Sequence, residues 1–400
     1  MARILIITPK QPSGNPRMRK SADALSMAGH EVHVLYAYGA PWADEADVPI
    51  LASANWSFEV IGGHPIKARF AYFISRLERK FYEVLGNTER ATCRSLNQYV
   101  RKAENWNPEV VIGHNPGALA PAIEIGKQLH IPVLFDAEDY HRGESYWVRV
   151  KQEHKMTEIE DRYMPQLTAM TTAAPLISDT YRSLYPNLDV TTVNNAFSKR
   201  NQPAAPQSTT GPLKVVWFSQ VVGLDRGLQE FIAGMNLVKD IPLELNILGL
   251  STTEKNEMLT SMVESPEHRI AFHSPRSEAE LFSFLGSHEI GLALEIPFAH
   301  NREICRTNKL YTYPLAGCYM FASRTQSQEQ FISEYPVTGQ LIDLDEPRSI
   351  GTAIREADSN RKELLRKREQ TWQLAIDDLN WETESQVLVN VVEGVIAKNQ

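Results

Sequence analysis

The sequence predicts an α/β protein made of two doubly wound domains, each a largely parallel sheet covered by helices. Three observations carry that prediction. A chain of 400 residues exceeds one ordinary core and suits two domains of about 150–200 residues. Short apolar runs alternate with amphipathic stretches in both halves, the pattern of βα units. An aperiodic stretch rich in Pro, Ser and Thr, from Ser198 to Pro212, interrupts the alternation near the middle. The expected organisation is a first domain over 1–198, a linker over 199–212, a second domain over 213–375 and a closing helical segment over 376–400.

The elements follow in order. Ile4 to Thr8 is too short an apolar run for a secretory signal and is read as a first buried strand. A helix around Arg19 to Ala28 leads to a strand over Glu31 to Tyr36. Val110-Val111-Ile112 and Val133-Leu134-Phe135 are strands flanking a helix over Ala118 to Leu129. Thr168 to Thr172, a helix over Pro175 to Leu184, and Val190 to Val193 complete the first domain. The pattern restarts at Leu213 to Phe218, with a helix from Gly227 to Met235 and a strand over Glu244 to Leu248. Ile270-Ala271-Phe272, a helix over Glu278 to Leu285 and a strand over Ile290 to Leu294 come next. A short helix then ends at Gly317, and a buried strand begins at Cys318-Tyr319. Two such domains joined near the middle predict a cleft lined by the C-terminal ends of strands, where open α/β sheets bind ligands.

Composition narrows the function. With 42% hydrophobic and 22% charged residues the chain reads as globular and soluble, and no segment is long and apolar enough to cross a bilayer. Cys93, Cys305 and Cys318 are an odd number without metal-ligand spacing, which fits a reducing cytoplasm. A net charge of -8 argues against nucleic acid as a partner. Residues 66–85 form a basic amphipathic helix: Ile66, Phe70, Phe73, Ile74, Leu77, Phe81, Val84 and Leu85 share one face, with Lys67, Arg69, Arg76, Arg79 and Lys80 elsewhere. Such a helix either packs its apolar face on the sheet, the favoured expectation, or lies on an anionic membrane as a peripheral contact at the inner face.

Several loops at strand ends carry candidate chemistry. The helix N-terminus at Asn308-Lys309, beside a sheet edge, suits a diphosphate. Lys309 is placed to neutralise charge on a phosphate leaving group, unless it is a surface lysine, and Asn308 is alternatively an N-cap. Arg226 opens a helix, where its guanidinium can grip phosphate or simply pair in solvent with Asp225. Gly113-His114-Asn115-Pro116-Gly117 puts His114 just past a strand. Asp136, Glu138, Asp139 and His141 cluster in Phe135 to Glu144, a density of charge that packing does not ordinarily need. The loop Pro9 to Arg17, with Ser13 and Gly14, lacks the three-glycine dinucleotide fingerprint and disfavours a nicotinamide cofactor. Asp343-Leu344-Asp345 reads as a turn, and no metal site is assigned.

The wording Asn308-Lys309-Leu310-Tyr311-Thr312-Tyr313, before Ala316-Gly317, resembles the nucleotide-sugar signature of retaining glycosyltransferases of the GT-B fold, family-4-like. Trp217 to Leu228 resembles that family's strand, Gly-Arg, short loop and Lys-Gly, with Ser219-Gln220 in place of Gly-Arg and Arg226 in place of Lys. The family's two donor glutamates are also replaced: Thr312 stands at the second and Ile304 at the first, with Glu303 one step away and Glu295 before the loop. The resemblance implies transfer of a sugar, hexosyltransferase-like and with retention, from a nucleoside diphosphate sugar to a hydroxyl of a glycan, lipid-linked glycan or small molecule, as in polysaccharide biosynthesis. It implies neither cofactor nor metal. It places Ser219, Gln220, Arg226, Glu303, Asn308, Lys309, Leu310 and Thr312 at the donor. His114, Glu138 and Asp139 fall near the transferred sugar and acceptor, Ser13, Gly14 and His141 near phosphate and acceptor, and the last helix crosses back to the first domain. Two rivals share the fold: a sugar-nucleotide epimerase, and a non-catalytic nucleotide- or glycan-binding protein.

Overall fold

The computed structural model describes residues 1–144 and 150–399. The chain divides into two compact units. The first comprises Met1–Asn194, Ala299–Asn301 and the chain from Glu384 onward; the second comprises Asn195–Phe298 and Arg302–Thr383. The stretch expected as a linker, 199–212, lies in the second unit. There the Trp372 indole N–H donates to the Pro203 carbonyl and Arg368 donates to that of Gln207.

The first unit is built on seven parallel strands: β1 (Arg3–Thr8), β2 (Glu31–Ala37), β3 (Ser57–Ile61), β4 (Val110–His114), β5 (Val133–Ala137), β6 (Ala169–Thr172) and β7 (Asp189–Thr192). Their order is β3-β2-β1-β4-β5-β6-β7. Ile4, Leu5, Ile6 and Ile7 are all buried without alternation, because helices cover both faces of a parallel sheet. Asn15 starts the first long helix, Pro16–Met27, by accepting the Met18 backbone N–H, and Pro16 supplies a preset φ at its first position.

The second unit has six parallel strands: β8 (Leu213–Val221), β9 (Leu243–Leu250), β10 (His268–His273), β11 (Ile290–Ala293), β12 (Tyr319–Ala322) and β13 (Gly339–Leu341), in the order β10-β9-β8-β11-β12-β13. Val215 and Trp217 belong to a core with Leu245, Leu292 and Phe321. Val216, between them, joins Tyr313, Met320 and Phe331 in another. The two-residue period of the strand thus feeds two cores, one on each face. The helix Lys309–Ala316 ends at Gly317, whose φ of 73° is left-handed, and the Cys318 N–H then closes on the Tyr313 carbonyl.

Each sheet is an α/β doubly wound, Rossmann-like layer, as the alternating pattern predicted. In each, the order reverses once, between β1 and β4 and between β8 and β11, and ligands of open α/β sheets bind outside the strand ends at such reversals. Sequence analysis did not anticipate the edge strand β3 or the helix Pro41–Ser53, which has a proline inside it.

One expectation is reversed. The helix Arg69–Val84 does not bury its apolar face. Phe70, Phe73, Leu77 and Phe81 are exposed, whereas Ser75 on another side is buried and donates to the Gly62 carbonyl at 2.7 Å. Tyr72 beside it meets the Tyr38 ring edge-on at 5.6 Å. A polar and aromatic stripe fastens this helix, and its hydrophobic periodicity points to something else.

Candidate functional site

In the second unit, the reversal between β8 and β11 gathers three cations about one carboxylate. Glu295 follows β11 and is 3% exposed. Lys309 Nζ lies 3.1 Å from its Oε1, while Arg302 and Arg226 lie 3.6 and 3.7 Å from Oε2. The Lys309 ammonium also sits 5.6 Å from the centroid of the buried Trp217 ring. The two arginines are only partly covered, so Arg226 and Arg302 bring positive charge to a half-open strand end beside the carboxylate they approach together with Lys309. Such a cluster favours an anion carrying more than one charge.

Local structure fixes the cluster from two sides. Ser323, just past β12, accepts the Glu295 backbone N–H at 2.8 Å through Oγ. Gln328 donates from Nε2 to the Ala293 carbonyl at 2.8 Å and accepts from Ser323 Oγ. On the other side, a Cβ at Gly291 would lie 2.3 Å from the Tyr313 ring. The bare glycine lets the helix Lys309–Ala316 press on β11 and carry Lys309 to Glu295. Sequence reasoning named Arg226 and Lys309, which the structure brings together, and left Glu295 as one of two substitutes for the missing glutamates; the apolar run into Glu295 was the usable signal.

Burial and bonding engage several of the other expected donor-side residues elsewhere. Thr312 is fully buried and its hydroxyl donates to the Asn308 carbonyl at 2.8 Å, a turn earlier in its own helix, so it is not turned towards a ligand. Replacing Thr312 with Val is expected to leave nucleoside diphosphate affinity within about twofold, measured by calorimetric titration; a larger loss restores Thr312 to the donor site. The Leu310 side chain is core, packed in the cluster with Tyr313 and Phe282. Glu303 accepts the Gln326 backbone N–H at 3.1 Å, serving the start of the helix Gln326–Glu334. Asn308 occupies the N-cap position without a side-chain cap bond. Ser219 is half-buried and Gln220 exposed at the end of β8, where a register irregularity lies between Phe218 and Val221.

In the first unit, the reversal between β1 and β4 is braced by buried polar groups. Asp136, on β5, accepts from Arg17 Nε at 2.6 Å and Nη2 at 2.8 Å, and from the Thr171 hydroxyl. Burial alone would push the Asp136 carboxyl up, but Arg17 and then His114 hold it well below the usual carboxylate range. This carboxylate is therefore structural, one fewer in the acidic cluster than the sequence suggested. His114, the last residue of β4, has Nδ1 3.3 Å from Asp136 Oδ2, and its buried Nε2 has no hydrogen-bond partner. With Nδ1 beside the carboxylate, Nε2 is the ring atom of His114 left for a further hydrogen bond.

Glu138 and Asp139 follow β5 side by side. Burial, and then the Asp139 charge, push the Glu138 carboxyl above its usual range. Asp139 accepts from the side-chain amide of Asn301 at 2.9 Å. His141 is buried with Nδ1 2.5 Å from Glu144. Burial pulls its value down, but the bond to Glu144 outweighs this and raises it. Ser13 donates its backbone N–H to Asp47 at 2.7 Å. A Cβ at Gly14 would meet nothing within 4 Å, so packing does not require glycine there.

No family model matches the chain, and no curated protein matches it. Solved structures do. A sucrose-phosphate synthase from Thermosynechococcus elongatus superposes with a TM-score of 0.72 at 12% identity, covering 100% of both chains. A glycosyltransferase from Rickettsia africae gives 0.70 at 11% identity, over 100% of this chain and 99% of the other. HepE from Anabaena, in complex with UDP, gives 0.70 at 11% identity, over 98% and 100%. At this identity the likeness establishes the fold: two parallel-sheet, Rossmann-like domains matching GT-B glycosyltransferase structures.

Proposed function

We propose that the protein is a glycosyltransferase that moves a sugar from a nucleoside diphosphate sugar to a hydroxyl acceptor with retention of configuration. The observation that carries this reading is the Glu295 cluster. Arg226, Arg302 and Lys309 surround one carboxylate at the sheet reversal of a fold whose solved relative HepE holds UDP or UDP-glucose. In this reading the diphosphate lies against Arg226 and Arg302, with Lys309 oriented by Glu295. The three cations stabilise the charge that grows on the departing phosphate as the sugar leaves. Ser323 and Gln328 act as positioning residues by fixing the Glu295 backbone.

The first unit presents the acceptor. His114 Nε2 makes a hydrogen bond with a sugar or acceptor hydroxyl, and Glu138, kept high by burial and Asp139, orients the attacking hydroxyl. Departure and attack on one face of the sugar would retain its configuration. The cations supply the charge that a metal supplies elsewhere, so turnover is expected to persist in excess EDTA; loss restored by added magnesium or manganese would refute the metal-free scheme. The test of the reaction is to supply UDP-hexoses with hydroxyl acceptors and assign the product anomer by NMR. Transfer with the donor's anomeric configuration supports the proposal. An inverted product removes retention, and a sugar isomer without transfer identifies an epimerase. The internal bond of Thr312 favours one second reading, a non-catalytic nucleotide binder, which would bind without turnover.

A further inference from the structure

The first unit displays an apolar helix face that nothing among its described residues covers. Along Arg69–Val84, Phe70 is 80% exposed, Phe73 61%, Leu77 51%, Phe81 60% and Val84 87%, with Leu85 just beyond at 61%. These residues recur at intervals of three and four, so they form one continuous stripe. Singly exposed apolar side chains need no explanation, whereas a stripe of this length marks an interaction surface.

The charge beside the stripe identifies what it meets. Residues 67–84 carry five cations, Lys67, Arg69, Arg76, Arg79 and Lys80, against two carboxylates, Glu78 and Glu83, in a chain of net charge -8. On the side that fastens the helix, Arg76 and Arg79 line, with Arg94, Pro9, Gly39 and Thr92, a cavity of about 210 Å³. Arg76 stacks on the Tyr72 ring at 4.4 Å, and Arg94 is tied to the Tyr38 carbonyl, so two of the three guanidiniums are held in place.

We propose that this helix docks the protein on an anionic phospholipid bilayer. The aromatic and aliphatic stripe enters the interface, and Lys67, Arg69 and Lys80, which flank it, meet the headgroup layer. A second copy of this chain is the poorer occupant, because it would bring the same excess of positive charge to the contact. The inference stands independently of the transferase reading.

The test is flotation of the full chain with vesicles of phosphatidylcholine alone and of phosphatidylcholine mixed with phosphatidylglycerol. The anionic vesicles are expected to carry at least ~10-fold more protein, with the excess falling as salt rises. The variant Phe70→Ser/Leu77→Ser/Phe81→Ser changes only exposed positions. It is expected to fold, as checked by circular dichroism, and to lose flotation. Arg79→Glu/Lys80→Glu is expected to lose the preference for anionic vesicles. Failure of the folded protein to float, equal flotation on both compositions, or undiminished flotation of the triple variant would overturn the proposal. So would a dimer in sedimentation that the triple variant dissolves.

Discussion

Replacing Arg226 with Ala is expected to weaken nucleoside diphosphate binding by about 10- to 100-fold, the worth of a lost charge-assisted hydrogen bond, while moving the melting temperature by less than about 2 °C. The two effects separate because of the geometry. Arg226 stands 3.7 Å from Glu295 and is partly exposed, whereas Lys309 at 3.1 Å still satisfies the buried carboxylate after the substitution. Folding therefore keeps its ion pair and the ligand loses a cation. Arg226→Lys should recover part of the affinity by restoring charge without the planar fork. Calorimetric titration against the wild type decides it: an unchanged dissociation constant removes Arg226 from the site.

The second large effect is on stability. Asp136→Asn leaves Arg17 buried beside a neutral amide, and breaking a buried pair in this way costs about 3–5 kcal/mol. The transition of the first unit should fall by about 6–20 °C. The loss should be visible by calorimetry even with the second unit intact. Its pH dependence has a definite sign. A carboxyl whose folded value is depressed, as at Asp136, contributes stability that is fully present above its unfolded value of about 3.9 and lost as pH falls through the folded one. The gap between wild type and variant should hold from neutrality to about pH 4 and narrow only in stronger acid. Arg17→Met combined with Asp136→Leu should recover much of the loss, because neither charge is then stranded. A single variant as stable as wild type would contradict the structural role given to this pair.

These two residues also show what the sequence could convey. Most strands of both sheets were legible because parallel strands covered on both faces are continuous apolar runs: Ile4 to Ile7, Val110 to Ile112, Ile290 to Ala293. The edge strand Ser57–Ile61 has no such run, since most of it is exposed or half-buried. Arg226 and Lys309 were legible as cations at helix starts. That Glu295 organises them and that Arg17 neutralises Asp136 was not read, because the Arg226–Glu295 and Arg17–Asp136 pairings join residues far apart in sequence whose meeting is set by strand order. Thr312 misled for a local reason: a buried threonine in a helix can return its hydroxyl to the carbonyl four residues back, and nothing in the sequence distinguishes that from a hydroxyl aimed at a ligand. The helix Arg69–Val84 misled differently. Its apolar period was read correctly, but Tyr72 and Ser75 hold the helix, so the stripe faces away from the core.

The measurement that bears most directly on the central claim is calorimetric titration of the protein with UDP, UMP and uridine, and with GDP and ADP for the choice of base. If the Glu295 cluster receives a diphosphate, one nucleoside diphosphate should bind at least ~10-fold more tightly than its monophosphate and far more tightly than its nucleoside, with affinity falling as salt rises. Equal affinity for nucleoside and diphosphate, or no binding of any nucleoside diphosphate by the folded protein, would contradict the account.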